Sequence, residues 1–89
     1  MVCKKIIFEG KVQKIGFRYF VFEQAKKASV VGYVRNLDNG CVELVAQGDY
    51  SAIELFLENC LKKHPMAVIE NFTVENLELQ KFDDFQVRR

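Results

Sequence analysis

Apolar and polar residues alternate in several stretches of the chain, as they do in half-buried strands. Residues 6–12 alternate in this way around Gly10, less cleanly at Ile7. Residues 30–36 and 41–47 are rich in β-forming residues and are separated by the pair Asn39-Gly40, which favours a tight hairpin turn. The pattern predicts five strands, and the last two are less regular, at residues 68–79 and around Phe85 and Val87.

Helical spacing replaces this alternation in two other stretches. From Phe17 to Ser29, apolar residues recur every three or four positions, which predicts a helix of about three turns. A second helix follows Asp49 or Ser51, either of which can cap it, and Ser51 has Glu54 three residues later, as in a capping box. Pro65 ends this helix. Its apolar face consists of Ile53, Phe56, Leu57, Cys60 and Leu61.

The resulting order of elements, β-α-β-β-α-β, is typical of an α+β protein with the ferredoxin-like, split βαβ arrangement. In this sandwich an antiparallel sheet carries both helices on one face. We expect residues 1–89 to form a single domain, because a chain of this length buries one sheet and two helices but little more. Hydrophobic residues make up 49% of the chain, which excludes intrinsic disorder.

The cysteines and the start of the chain bear on its location. Cys3, Cys41 and Cys60 lack the spacing of a disulfide framework or a zinc site, so we expect small core residues. Glu9 interrupts the first apolar run well before a signal-peptide core of roughly 7 to 15 residues is complete. No stretch approaches the ~18 consecutive apolar residues of a membrane span. We therefore expect a cytoplasmic protein that does not enter a membrane.

The net charge of +1 conceals an uneven distribution. Residues 1–36 contain eight basic and two acidic side chains, whereas residues 37–89 contain five basic and ten acidic ones. The first part of the chain therefore favours anionic partners. Without a more specific motif, a solvated charged face would be the simpler interpretation.

The chain lacks the residues that most hydrolytic mechanisms need. One histidine, two serines and one threonine leave little material for a catalytic triad. No cysteine is followed six positions later by arginine, no acidic or histidine cluster has metal-ligand spacing, and no glycine pair forms a Walker loop. His64 precedes Pro65 at a helix end, where we expect it to cap the last helical carbonyls.

The segment from Gly10 to Arg18 carries the remaining candidate chemistry. A glycine-containing turn that enters a helix leaves the first amides unpaired, and with the helix dipole these amides form an anion site. A positive side chain in the first helical turn is unfavourable for the helix, so Arg18 favours an anionic partner. On these residues alone, an ordinary turn with a surface arginine is an equally good interpretation.

Residues 14–22 also look like the aromatic RNA-binding signature of RRM domains, which share this fold class. That signature belongs on the third strand, however, whereas this segment follows the first strand and has helical spacing. Phe17, Phe20 and Val21 are therefore predicted to be core residues, and nucleic acid is not an expected partner.

Two separated motifs resemble the acylphosphatase family. They are Gly-x-Val-Gln-x-Ile-Gly-Phe-Arg at residues 10–18 and Gly-Tyr-Val-Arg-Asn-Leu-Asp-Asn-Gly-x-Val-Glu at residues 32–43, followed by Gly48. The resemblance spans nearly the whole chain and is weaker after Pro65. It implies a ferredoxin-like fold and hydrolysis of the carboxyl-phosphate bond of acyl phosphates without metal or cofactor. The expected partners are a small acyl phosphate and inorganic phosphate, and we expect a monomer.

The family's functional positions map onto Arg18 and Asn36. The resemblance implies that Arg18 and the loop amides bind the phosphate, the amides being those of Gln13, Lys14, Ile15, Gly16, Phe17 and Arg18. It also implies that Asn36 orients the attacking water. We expect Asn36 to end the second strand, next to the first strand in the sheet, where its amide can donate to and accept from a water. From the residues alone, a turn-forming asparagine would be preferred.

The chain departs from the family at three glycine positions, which are occupied by Lys14, Ser29 and His64. If Lys14 has a left-handed backbone, it costs about 1 to 2 kcal/mol. For the other two we expect an effect on stability only. The principal alternative is a non-catalytic anion-binding or regulatory domain of the same fold, and an RNA-binding module ranks third.

Overall fold

The computed structural model describes residues 1–89 as five strands and two helices in the predicted order. The predicted boundaries are close to the observed ones, except that the first strand starts four residues earlier than predicted. It does so because Val2 to Phe8 pair with Gly48 to Val42. The elements are β1 (Val2–Lys11), α1 (Phe17–Ala28), β2 (Val31–Asn36), β3 (Val42–Gly48), α2 (Tyr50–Lys62), β4 (Val68–Leu77) and β5 (Phe85–Arg88).

The strands form one sheet in the order β4-β1-β3-β2-β5, which confirms the ferredoxin-like fold. The sheet is antiparallel as predicted except at one edge, where β5 pairs parallel to β2, with Gly32 opposite Phe85. The reason is topological. In this order β2 and β4 run in opposite directions, so a chain that reverses after β4 and crosses to the far edge runs parallel to β2.

The expected position of Asn36 beside the first strand was also wrong. β3 lies between β1 and β2 and pairs antiparallel with both of them. β1 and β2 are therefore parallel, and their carboxyl ends lie at the same end of the sheet. This arrangement brings the loop that follows β1 near Asn36, the last residue of β2, although the two strands are not adjacent.

Both helices pack on one face of the sheet around a buried apolar cluster. Phe17 is fully buried, as predicted, and its ring meets that of Phe8 edge to face, with centroids 5.3 Å apart. Phe20 stacks on Phe17 and packs against the same core. All three cysteines are free and buried. Neither helix has the length and apolar character that crossing a membrane requires.

One of the two predicted caps, Asp49, lies at the N-terminus of α2, without a side-chain capping hydrogen bond, whereas the C-terminus differs from the prediction. Asp49 occupies the N-cap and Tyr50 is the first helical residue, so Ser51 lies inside the helix and forms no capping box. His64 does not bond the last helical carbonyls. Its Nδ1 instead accepts hydrogen bonds from the amides of Met66 and Ala67, both at 3.1 Å, because the chain turns back toward β4 at this point.

Candidate active site

The loop of residues 12–16, which we call the anion loop, joins β1 to α1 through two left-handed residues. Lys14 has φ 65°, and Gly16, the N-cap of α1, has φ 75°. A Cβ on Gly16 would meet no atom within 4 Å, so backbone conformation rather than space favours glycine there. Val12 and Ile15 anchor the loop, the first within the buried core and the second packed against it.

The backbone amides of residues 13–19 donate no hydrogen bond within the protein. The first helical amide with a partner is that of Phe20, which donates to the carbonyl of Gly16 at 3.0 Å. Since these donors lie at the positive end of the α1 dipole, the loop and the first helical turn offer a group of free N–H donors to an anion.

A cleft of about 70 Å³ opens beside these amides. It contains Lys14, Gly16, Phe17, Arg18 and Asn36 of the predicted site, together with Val12 and Tyr19. The anion loop and the end of β2 thus meet in one place. Gln13 and Ile15, which the sequence analysis also assigned to the site, do not line the cleft.

Arg18 is half-buried in the first turn of α1 and is held by the last strand. Its Nη1 donates a hydrogen bond of 2.8 Å to the backbone carbonyl of Arg88, at the end of β5. The sequence did not indicate this contact, since its two partners are 70 positions apart. The remaining guanidinium donors have no partner in the protein.

Asn36 has a buried carboxamide oxygen, Oδ1, with no hydrogen-bond partner. Leaving a buried acceptor unpaired costs about 1 to 3 kcal/mol, so such a group calls for a donor from outside the chain. The hairpin turn is stabilised by other groups: the amide of Leu37 donates to the carbonyl of Cys41 at 2.8 Å, and Asn39 Oδ1 accepts from the amide of Cys41 at 3.0 Å. The Asn36 side chain takes no part in the turn.

The sequence analysis missed the side-chain contacts of Gln13 and the whole of Tyr19. The Gln13 side chain donates to the carbonyls of Leu37 and Cys41, both at 2.8 Å, whereas only its backbone amide was considered. Tyr19 is 69% exposed and lines the cleft, and its position next to Arg18 was the only available signal.

The largest concave surface lies elsewhere, between α2 and β4. It has a volume of about 680 Å³ and is lined by apolar residues such as Leu57, Phe72 and Val74, with pairs such as Lys4 and Glu54 at its rim. It contains none of the predicted site residues.

The comparisons with known proteins agree with this fold. The acylphosphatase family model matches residues 4–87. An acylphosphatase from Thermotoga petrophila is 42% identical over 88 residues, which cover 99% of this chain and 98% of that protein. The crystal structure of acylphosphatase from Bacillus subtilis superposes with a TM-score of 0.95 at 33% identity and full coverage of both chains.

A third similar protein is an acylphosphatase from Coxiella burnetii, whose structure has a TM-score of 0.91 at 34% identity and covers 98% of this chain and 92% of that one. With its mixed sheet and two helices on one face, this chain is an α+β protein of the ferredoxin-like fold. Within that class, this chain belongs to the acylphosphatase family. It is an enzyme with acylphosphatase activity.

Proposed function

We propose that Arg18 and the backbone amides of residues 13–18 hold the phosphoryl group of an acyl phosphate while Asn36 orients the attacking water. The observation that carries this proposal is the meeting of the free amides, Arg18 and Asn36 in one cleft. The resemblance of the two motifs to the family supports the same assignment.

The phosphate side of the site supplies charge stabilisation. The oxygens of a phosphoryl group accept several hydrogen bonds at once, and the amides of the anion loop have no competing partner in the protein. Arg18 adds a charge-assisted contact, and its bond to Arg88 fixes the guanidinium before substrate binds. Preorganised donors of this kind act most strongly on the charge of the transition state.

Asn36 supplies the group that binds the attacking water. A water that is bound by the carboxamide of Asn36, which can both donate and accept, has a lone pair free for phosphorus. Water attacks phosphorus, the bond to the acyl oxygen breaks, and the carboxylate leaves with the electron pair. The proton lost by water passes to the phosphate product or to solvent. Because the carboxylate is a good leaving group, positioning and charge stabilisation suffice, and no step uses a metal or a covalent nucleophile.

The first experiment distinguishes catalysis from simple anion binding. We expect rapid hydrolysis of benzoyl phosphate, much slower hydrolysis of a phosphate monoester such as p-nitrophenyl phosphate, and competitive inhibition by inorganic phosphate. Heavy-oxygen water should label the phosphate and not the benzoate, because water attacks phosphorus. Label in the benzoate would contradict the mechanism, and phosphate binding without turnover would favour the non-catalytic alternative. The monomeric state, the cytoplasmic address and the absence of nucleic-acid binding stay predictions.

A further inference from the structure

The Gln13 side chain connects the anion loop to the hairpin turn. Its Nε2 donates to the carbonyl of Leu37 and to that of Cys41, each at 2.8 Å. Leu37 directly follows Asn36, and Cys41 directly precedes Val42, which pairs with Asn36 across the hairpin. The two carbonyls therefore belong to the residues that hold Asn36 in place.

This contact is the polar link between the two halves of the site. No other hydrogen bond joins residues 12–16 to residues 36–41. An amide nitrogen has two hydrogens, and Gln13 uses both of them on the turn. The same two carbonyls also accept the amides that close the turn, those of Gly40 at 3.2 Å and Leu37 at 2.8 Å. Backbone hydrogen bonds thus close the turn, and the Gln13 side chain connects the turn to the anion loop.

We propose that Gln13 is a positioning residue that sets the separation between the phosphate held by the anion loop and the water held by Asn36. This inference rests on the roles proposed above for Arg18 and Asn36. Phosphoryl transfer requires the attacking and leaving oxygens to lie roughly in line, and a misplacement of about 1 Å can cost about 100-fold in rate. Gln13 acts through Asn36 and does not contact the reacting atoms with its side chain.

Two variants test the link with benzoyl phosphate as substrate and inorganic phosphate as inhibitor. Gln13→Met keeps the length of the side chain but removes the donors, and Gln13→Asn keeps the amide but shortens its reach. In both we expect kcat to fall at least about tenfold while the inhibition constant of phosphate changes less than about threefold. If Gln13→Met does not fold by circular dichroism, Gln13→Asn decides. A folded variant with the kcat of the wild type overturns the proposal.

Gln47 offers a matched control. Its side chain donates to the carbonyl of Gln80 and accepts the amide of the same residue, both at 2.8 Å, far along β3 from the cleft. Gln47→Met therefore loses two side-chain-to-backbone hydrogen bonds of the same length. We expect its kcat to stay within about twofold of the wild type. A loss equal to that of Gln13→Met would mean that any loosening of the sheet slows turnover, and it would overturn the positioning role.

A double-mutant cycle separates this proposal from the one on which it rests. If Gln13 acts by placing Asn36, then Gln13→Met in an Asn36→Ala background should reduce kcat less than about threefold further. If Asn36→Ala is itself impaired and the losses in kcat of the two single variants add up in the double variant, the role of Gln13 is overturned and that of Asn36 is not. An Asn36→Ala variant with normal kcat would instead overturn the proposed role of Asn36. The cycle is measured on samples whose dichroism spectra match that of the wild type.

Discussion

Arg18 and Arg88 are joined by a hydrogen bond of 2.8 Å from Nη1 to the backbone carbonyl oxygen. Through this bond the end of β5 holds the arginine that faces the cleft. The Arg88 side chain points elsewhere, since its guanidinium lies over the Tyr33 ring, 4.1 Å from the centroid. The backbone of Arg88 thus fixes the side chain of Arg18, and the side chain of Arg88 packs on the sheet.

This contact explains why lysine should not replace Arg18. A lysine ammonium is a point charge and cannot at once bond the Arg88 carbonyl and present a planar fork to phosphate. We expect Arg18→Ala and Arg18→Lys both to lose turnover of benzoyl phosphate by at least about 100-fold and to weaken inhibition by phosphate. Arg35→Lys is the control, because Arg35 bonds Glu43 outside the cleft. Near-normal turnover in Arg18→Ala would move the phosphate site elsewhere.

Asn36→Ala should reduce kcat by about 10²- to 10³-fold and leave the inhibition constant of phosphate nearly unchanged, since the water acts in the transition state. Because its Oδ1 is buried without a partner, the substitution removes an unpaired polar atom and should not lower the free energy of unfolding. Asn71→Ala, on the edge strand β4, is the control for kcat. A joint loss of phosphate binding and stability would assign Asn36 to the turn instead.

The pH dependence of stability should include a contribution from Glu43. Its carboxylate accepts hydrogen bonds from Arg35 at 2.8 Å and Tyr33 at 3.0 Å, and the Arg35 contact is the main cause that holds its pKa below the usual value, against the opposing effect of burial. The folded pKa is depressed, so this stability is present above the unfolded pKa of about 4.3 and is lost as the pH falls through the folded value. In Glu43→Gln, the free energy of unfolding measured by urea titration should therefore fall less steeply as the pH is lowered. A fall as steep as that of the wild type would contradict this expectation.

Activity should survive both excess EDTA and thiol alkylation of the folded protein. Burial raises the pKa of the Cys60 thiol to about 12 and raises that of Cys3 as well, so little thiolate forms at neutral pH. The proposed mechanism uses neither a thiol nor a metal. Benzoyl phosphate turnover before and after each treatment is the measurement, with circular dichroism as the control for folding. Complete inhibition by the chelator in a folded sample would overturn the mechanism.

The sequence predicted what depends on local patterns and missed what depends on distant contacts. Apolar spacing located every strand and helix, and the two motifs singled out Arg18 and Asn36, whose roles stay proposals. The bond from Arg18 to Arg88 spans 70 positions and the bonds from Gln13 to the turn span 24 and 28, so no local pattern could indicate them. The parallel pairing of β5 was missed for the same reason, because it depends on which edge of the sheet is free.

The predictions of a Ser51 capping box and of a His64 cap were wrong for another reason, which is competition between neighbouring residues. Ser51 with Glu54 has the composition of a capping box, but Asp49 takes the N-cap and the helix begins before Ser51. His64 has a lone pair to offer as well as a donor, and its Nδ1 satisfies two amides of the following turn. Composition permits several such arrangements, and the path of the chain selects one of them.

Lys14 and Ser29 occupy left-handed positions where the family usually has glycine, with φ 65° and 56°. Each residue should cost about 1 to 2 kcal/mol relative to an unstrained backbone, so Lys14→Gly and Ser29→Gly should each raise stability, by roughly 4 to 8 °C in Tm per kcal/mol. Glycine also makes the unfolded chain more flexible, which offsets part of this gain. The C-cap Ser29 lies at the far end of α1 and serves as the matched control.

The effect of Lys14 on activity depends on its charge rather than on its backbone. The side chain is exposed but lines the cleft, so it should attract phosphate modestly through solvent. We expect Lys14→Gly to change turnover by less than about tenfold and to weaken the salt dependence of phosphate inhibition, whereas Ser29→Gly changes neither. Lys14→Ala keeps the backbone strain and removes the charge, so it should reproduce the change in salt dependence without the gain in Tm. A loss of turnover well beyond tenfold in a folded Lys14→Gly sample would place this lysine within the catalytic machinery.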